Sequence, residues 1–379
     1  MKIPAMLMVG AAGRNIGKTE FVCRIIERVS AQVPVIALKV TTVQKRDGCC
    51  PRGGTGCGVC SSLAGDFEIT DETLQETCSM SSKKDTVRMK TAGAEQVYWL
   101  RVMRDHLQDG FDALLPRIPQ GAAIVCESNS LRTVVEPGLF VVIADAARSE
   151  VKESCRQVLA HADRMVTFDG TSFSLPPECV SFVHGAWCVP EDAAAIILAG
   201  GKSSRMGEDK SLLSVDGESM IARIVRQTQR ICAKTFVSAR HPDQYRFEGV
   251  TLVPDTAPGE GPLAGIIASL AATDHEINFV CTCDLPDIDE ALVRRMIETA
   301  RTCDAVMPRS KSGQVEPLFA VYRRSILPRL REAFDAGERR IRVICEKLEV
   351  RYLEIDDGVV EDLNTQDEYR NYLKKREDL

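Results

Sequence analysis

Twice in this chain an apolar run of strand length ends abruptly in a glycine-rich turn, and this double opening restricts the fold more than any other feature of the sequence. Met6-Leu-Met-Val9 runs into Gly10 and a loop that closes on Gly17-Lys18-Thr19. Ala194-Ala-Ile-Ile-Leu198 runs into Ala199-Gly-Gly201. Unbroken apolar runs of this length suit strands buried on both faces, as in parallel sheets. After the first turn, Phe21, Val22, Ile25, Ile26 and Val29 fall on one helical face, and Val35-Ile-Ala-Leu-Lys-Val40 reads as a second strand. Further on, helical patterns at Met220 to Ile231, Glu290 to Ala300 and Ile326 to Phe334 alternate with short apolar runs at Phe236-Val237, Thr251 to Val253, Phe279 to Cys281 and Phe319 to Tyr322. Such alternation predicts an α/β chain of two doubly wound domains. The paired prolines Pro176-Pro177 and the signal-poor stretch His184 to Asp192 place the boundary near 186 to 193, giving domains 1–186 and 193–379.

A length of 379 residues exceeds one ordinary domain. With 27% charged residues and no apolar run near the ~20 residues that span a bilayer, the chain does not read as a membrane protein. A net charge of −6 provides no basic field to draw nucleic acid or anionic lipid, and 5% aromatics provide no base-stacking platform. The expected partners are small molecules. Met1 to Gly10 leads directly into a loop motif instead of a signal-peptide apolar region, so a cytoplasmic protein is expected. Fifteen cysteines in such a chain read as reduced thiols, with metal binding where they cluster.

The segment Leu198-Ala-Gly-Gly-Lys-Ser-Ser-Arg-Met-Gly-Glu-Asp-Lys210 follows a predicted strand. Glycines let backbone N–H groups approach phosphate oxygens, and Arg205 and Lys210 bring the positive charge that a triphosphate requires. Asp284 stands at the carboxyl end of the run Phe279 to Cys281, where open α/β sheets place ligands. A lone carboxylate there suits Mg2+, which keeps water and phosphate oxygens in its shell. An N-cap for the following helix is the alternative, made plausible by Pro286, Asp287 and Asp289.

These motifs, followed in order by Val253-Pro-Asp255, Gly261-Pro-Leu-Ala-Gly265, Cys283-Asp-Leu-Pro286, Glu316-Pro-Leu-Phe319 and Asp362-Leu-Asn-Thr365, resemble the molybdenum cofactor guanylyltransferases over roughly residues 193 to 370. The resemblance implies a Rossmann-like nucleotidyltransferase domain that joins GMP from GTP to the molybdopterin cofactor, with Mg2+ as cofactor. It implies catalytic roles for Arg205, Lys210 and Asp284, with Asp284 as the magnesium ligand. Leu198, Ala199, Gly200, Gly201, Lys210, Ser238 and Asp255 would contact the nucleotide, and Asn364 the pterin or phosphate. Ser238 stands where many relatives carry Asn, and Asp362 replaces the first Asn of the late element. Cytidylyl transfer, sugar-1-phosphate nucleotidyl transfer, and a GTP-regulated module delivering cofactor without transferase activity are the competing readings. Gly200-Gly201 favours guanine over cytosine.

In the first half, Ala12-Gly13-Arg-Asn-Ile-Gly17-Lys18-Thr19 sits between a strand and an amphipathic helix, the setting of a phosphate-binding P-loop, with Ala12 where Gly is commoner. Lys18 would reach the phosphates and the Thr19 hydroxyl a Mg2+. Ala123-Ile-Val-Cys-Glu127 reads as a facing strand whose Glu127 serves the same cation or caps Ser128-Asn-Ser130. With Lys39, Lys84-Asp-Thr86 and Ala92-Gly-Ala94, these residues resemble the GTP-binding adaptor protein of molybdopterin guanine dinucleotide synthesis over residues 3 to 150. The resemblance implies a P-loop NTPase-like domain with Gly13, Gly17, Lys18, Thr19 and Glu127 at the nucleotide, and molybdoenzyme apoproteins or their chaperones as further partners. The adaptor pattern lacks the segment 49–60. There Cys49, Cys50, Cys57 and Cys60 can close four thiolates around Zn2+ or an iron–sulfur cluster, while a redox dithiol or an unliganded loop are the alternatives.

Overall fold

A computed structural model describes residues 1–43, 63, 65–73, 84–147, 150–199, 210–255, 257, 259–363 and 365–377, with Lys210 and Glu377 described by their backbone alone. The chain divides into two compact units, Met1–Val189 and Pro190–Leu379.

The first unit is built on β1 (Lys2–Ala11), α1 (Lys18–Val29), β2 (Val35–Val43), β3 (Phe67–Asp71), α2 (Asp85–Thr91), β4 (Gln96–Met103), α3 (Leu107–Leu114), β5 (Ala123–Glu127), β6 (Glu136–Asp145), α4 (Glu153–Arg156) and β7 (Arg164–Phe168). Its sheet runs in the order β3-β4-β2-β5-β1-β6-β7. All pairings are parallel except that of the edge strand β3 with β4. Met6 to Val9 and Val35 to Leu38 are fully buried, as the unalternating apolar runs require, and Phe21, Val22, Ile25, Ile26 and Val29 pack α1 on the same core. A hairpin of β8 (Ser181–Val183) and β9 (Ala186–Cys188) closes the unit. From it, buried Trp187 donates its indole N–H to the Ala5 carbonyl at 2.9 Å.

Near that point β1 and β6 lose register: Ile3 faces Pro137, but Leu7 faces Leu139. The irregular residues of β1 press against Gly138, where an added Cβ would lie 2.0 Å from the Pro4 carbonyl oxygen. Only glycine fits this approach.

The second unit comprises β10 (Glu191–Leu198), a ribbon of β11 (Ser214–Val215) and β12 (Glu218–Ser219), α5 (Met220–Ile231), β13 (Cys232–Ala239), β14 (Val250–Pro254), α6 (Pro262–Ala272), β15 (Ile277–Thr282), α7 (Glu290–Thr299), β16 (Ala305–Ser310), β17 (Ala320–Arg323), α8 (Leu327–Asp335), α9 (Ile341–Cys345), β18 (Val350–Ile355) and α10 (Gln366–Glu377). The main sheet runs β14-β13-β10-β15-β17-β16-β18. Its central strand alternates faces cleanly. Ala193, Ala195 and Ile197 pack beneath α5 and α7, whereas Ala194, Ile196 and Leu198 pack with Leu263, Ile266 and Leu270 of α6. Each fully buried Ile or Val in these layers contributes about 1.5–3 kcal/mol. Ser219 starts α5 by accepting from the Ala222 N–H, and Asp289 starts α7 by accepting from the Leu292 N–H at 3.0 Å.

The two doubly wound α/β domains expected from the sequence each include an antiparallel strand, the edge strand β3 in the first sheet and β17 in the second. β17 lies antiparallel to both neighbours, β15 and β16, so the second sheet is mixed. The stretch 311–319 that joins β16 to β17 is shorter than the dozen or so residues a parallel crossover needs, so the chain returns antiparallel.

Candidate active site

Parallel pairing aligns the carboxyl ends of β14, β13, β10 and β15 along one edge of the second sheet. Leu198 stands in register with Ser238 on one side and Thr282 on the other, and Ala239 with Pro254. The chain leaving these ends is stitched across the edge by backbone hydrogen bonds. Ala199 donates to the Ser238 carbonyl at 2.8 Å, Cys283 to Leu198 at 3.2 Å and Asp255 to Ala239 at 3.0 Å. Leu198, Ala199, Ser238, Asp255 and Asp284 therefore share one sheet edge, as the motif spacing requires of a common site.

Within that edge the side chains differ in what they can do. Ser238 is buried and its Oγ faces Gly265 of α6, so its hydroxyl packs beneath that helix. The Asp255 carboxylate accepts from the Ala257 N–H at 3.0 Å, shaping the loop that leads to α6. Asp284 is half-buried, and its own carbonyl accepts from the Leu363 N–H at 2.9 Å. The cap of α7 is Asp289, which leaves Asp284 outside the capping role considered for it. A single carboxylate at a strand end is the hard-oxygen donor that Mg2+ accepts alongside water and phosphate, so this donor fits the ion. Gly200, Gly201, Arg205, Asn364 and the side chain of Lys210 lie outside the described residues.

In the first unit, β1 leads into the loop 12–17, and Gly17 enters α1 with φ 77°, the left-handed conformation that favours glycine. Glu127 ends β5, the strand in register beside Val9 of β1, and is buried. Its carboxylate accepts from the Thr19 hydroxyl at 2.7 Å and lies 3.5 Å from the Lys18 ammonium. The Ser128 hydroxyl, not Glu127, caps the following turn, accepting from the Leu131 N–H at 3.1 Å. Lys39 from β2 pairs with Asp85 at the start of α2. Burial alone would raise the Asp85 carboxyl, but the hydrogen bond and charge of Lys39 hold it below the usual carboxylate range.

Two residues of this neighbourhood carry no local sequence signal. Asn129 is buried and clasps the end of β1, accepting from the Ala11 N–H at 2.8 Å and donating to the Ala11 carbonyl at 3.0 Å. Lys152 donates its backbone N–H to Ala12 at 2.8 Å. Burial, and then the neighbouring Lys18 charge, push its ammonium down to about 8. Cys49, Cys50, Cys57 and Cys60 lie outside the described residues. Among the described residues no group of three or more His, Cys, Asp or Glu side chains is placed to hold a metal. Cys126, Cys232 and Cys281 are buried core residues whose thiols burial pushes up, Cys232 to about 12.

The MobA-like NTP transferase domain matches residues 195–352. The probable molybdenum cofactor guanylyltransferase of Pelotomaculum thermopropionicum is 35% identical over 162 residues, covering 42% of this chain and 78% of that protein. That of Chloroflexus aggregans is 37% identical over 160 residues, 41% of this chain and 77% of that protein. The molybdenum cofactor guanylyltransferase of Pseudomonas putida is 34% identical over 149 residues, 38% and 78% respectively. With the carboxyl-edge geometry and these relatives in agreement, the chain belongs, through its second unit, to the molybdenum cofactor guanylyltransferase family.

Proposed function

We propose that the second unit transfers GMP from GTP to the molybdopterin form of the molybdenum cofactor, and that the first unit is an auxiliary GTP-binding P-loop domain. The observation that carries the first statement is the convergence of Leu198, Ala199, Asp255 and Asp284 on one sheet edge in a chain of this family. In the reaction, a terminal phosphate oxygen of molybdopterin attacks the α-phosphorus of GTP. The bond from that phosphorus to the α,β-bridging oxygen breaks, and pyrophosphate leaves. The nucleophile is already an anion, so the protein's task is to align two phosphates in line and offset charge on the leaving group. The loop after β10 and Arg205 would hold the triphosphate, Lys210 its charge, and Asp284 a Mg2+. When bound, that ion supplies electrostatic stabilisation of the phosphate oxygens. Asp255, with the backbone of Leu198 and Ala199, would line the nucleotide side.

The test offers purified protein molybdopterin with either GTP or CTP and follows pyrophosphate. Release with GTP and not CTP is expected, and release with CTP alone overturns the guanylyl assignment.

For the first unit, support comes from the Thr19–Glu127 hydrogen bond and the adjacent Lys18, an arrangement of hydroxyl and carboxylate that fits Mg2+ beside a phosphate-binding loop. Lys152 adds a third cation to Lys18 and Arg14 there, which has a consequence for pH. Its ammonium ionises near 8 in the folded chain against an ordinary 10.5, so between those values the unfolded state binds the extra proton and stability rises with pH. Both tryptophans, Trp99 and Trp187, lie in the first unit, so their fluorescence reports its unfolding. Lys152→Met is expected to raise the urea midpoint at pH 7 and to close the gap to the unaltered protein as pH climbs toward 10. A constant gap across that range would refute the shifted ammonium.

A further inference from the structure

The loop that carries Asp284 is held by side chains that belong to none of the family motifs. Arg223 and Gln227 lie one turn apart on α5 and are buried. Both donate to one acceptor, the carbonyl of Pro286, from the Arg223 Nε at 2.7 Å and the Gln227 Nε2 at 3.2 Å. Gln227 also accepts from the Ile288 N–H at 2.7 Å, so its amide grips the loop by a donor and an acceptor at once. The remaining Arg223 nitrogens reach Asp287 at 2.6 Å and Asp216 at 3.4 Å.

The C-terminal helix α10 holds the same Asp287. The Tyr372 hydroxyl donates to it at 2.6 Å, and Arg376 pairs with it at 3.5 Å and with Asp216 at 2.8 Å. Burial would raise the Asp287 carboxyl, but the hydrogen bonds of Tyr372 and Arg223 and the charges of Arg223 and Arg376 keep it below the usual carboxylate range. Just before α10, the Leu363 N–H takes the carbonyl of Asp284 itself.

We propose that Arg223 and Gln227 are positioning residues for Asp284: with Asp287 and the C-terminal helix they fix the backbone of 284–288, and so the place where the Asp284 carboxylate meets its cation. The proposal rests on the reading of Asp284 as the metal-holding residue. Buried charge is a poor filler, since apolar groups of equal volume stabilise a core as well or better. Here the buried guanidinium and amide instead direct three hydrogen bonds at a backbone stretch of three residues that begins two positions after Asp284. Residues that orient a metal ligand typically alter metal affinity or activity by about 10- to 100-fold when changed.

The test uses the full chain with Arg223→Lys, Gln227→Glu and Tyr372→Phe, and Arg226→Ala as a control. Arg226 lies on the same helix but pairs with Glu218, away from the loop. Mn2+ binding in the presence of GTP is followed by water-proton relaxation, alongside kcat and KM for GTP. For Arg223→Lys and Gln227→Glu the expected result is Mn2+ affinity and kcat each lowered at least tenfold with KM for GTP changed less than about threefold. A smaller shift in the same direction is expected for Tyr372→Phe, and none for Arg226→Ala. Gln227→Glu and Tyr372→Phe are near-isosteric, so the proposal stays testable should Arg223→Lys fail to fold. Folded variants with Mn2+ affinity and kcat unchanged overturn the positioning role, as does a loss in Arg226→Ala equal to theirs. Failure of the unaltered protein to bind Mn2+ overturns the Asp284 assignment itself, an outcome told apart because it precedes any substitution.

Discussion

Asp284→Asn is expected to lower GTP-dependent pyrophosphate release by about a hundred- to a thousandfold while leaving the unfolding midpoint unchanged. Asparagine keeps the shape of the side chain, and the main-chain carbonyl that receives the Leu363 N–H is untouched, so the fold loses no backbone link. What disappears is the negative charge that would bind the divalent cation and, through it, the electrostatic stabilisation of a leaving pyrophosphate. Losing one such electrostatic contribution typically raises the barrier by about 3–4 kcal/mol, and each 1.36 kcal/mol is tenfold in rate. A folded variant that retains a tenth or more of the activity would remove Asp284 from the chemistry.

The largest effect on stability is expected at a position far from any motif. Gly138→Ala would place a Cβ 2.0 Å from the Pro4 carbonyl, a backbone obstacle that no rotamer change relieves. β1 or β6 must then shift at the place where their register already breaks. Overpacking of a core typically costs about 1–3 kcal/mol, and a backbone clash lies at the upper end or beyond. With a denaturant slope of about 1–3 kcal/mol/M, the urea midpoint should fall by about 1 M or more. Tryptophan fluorescence is the natural probe, because Trp187 is anchored to Ala5, the residue after the one displaced. An unchanged midpoint would mean that the irregular stretch of β1 yields without cost.

The positions of strand and helix ends are the part of this protein most open to reading from sequence. The limits of α5, from Met220 to Ile231, and of β5, from Ala123 to Glu127, follow from apolar periodicity and local end signals that act within a few residues. The placing of Leu198, Asp255 and Asp284 on one edge follows from a general property of parallel sheets. Strand direction was harder to read. The antiparallel β17 depends on how the stretch 311–319 returns, and an apolar run such as Phe319 to Tyr322 looks the same in either direction. Positions set by partners distant in sequence were illegible. Asn129 clasps Ala11 across 118 residues, Arg223 meets Asp287 across 64, and Gly138 is fixed by Pro4, none of which leaves a periodic trace. Lys152 was missed for the same reason, since only the fold brings it to the loop before Lys18.

The order of strands in the second sheet assigns unequal rigidity to the strands that lead to Asp255 and to Asp284. β15, which delivers Asp284, is paired on both sides, by β10 and β17, whereas β14, which delivers Asp255, is a border strand with β13 as its neighbour among the described residues. Border strands open more readily and accept substitutions more cheaply than interior ones. Amides of β14 should therefore exchange with solvent well before those of β15. Substitutions around Val250 to Pro254 should likewise cost the fold less than those around Ile277 to Thr282.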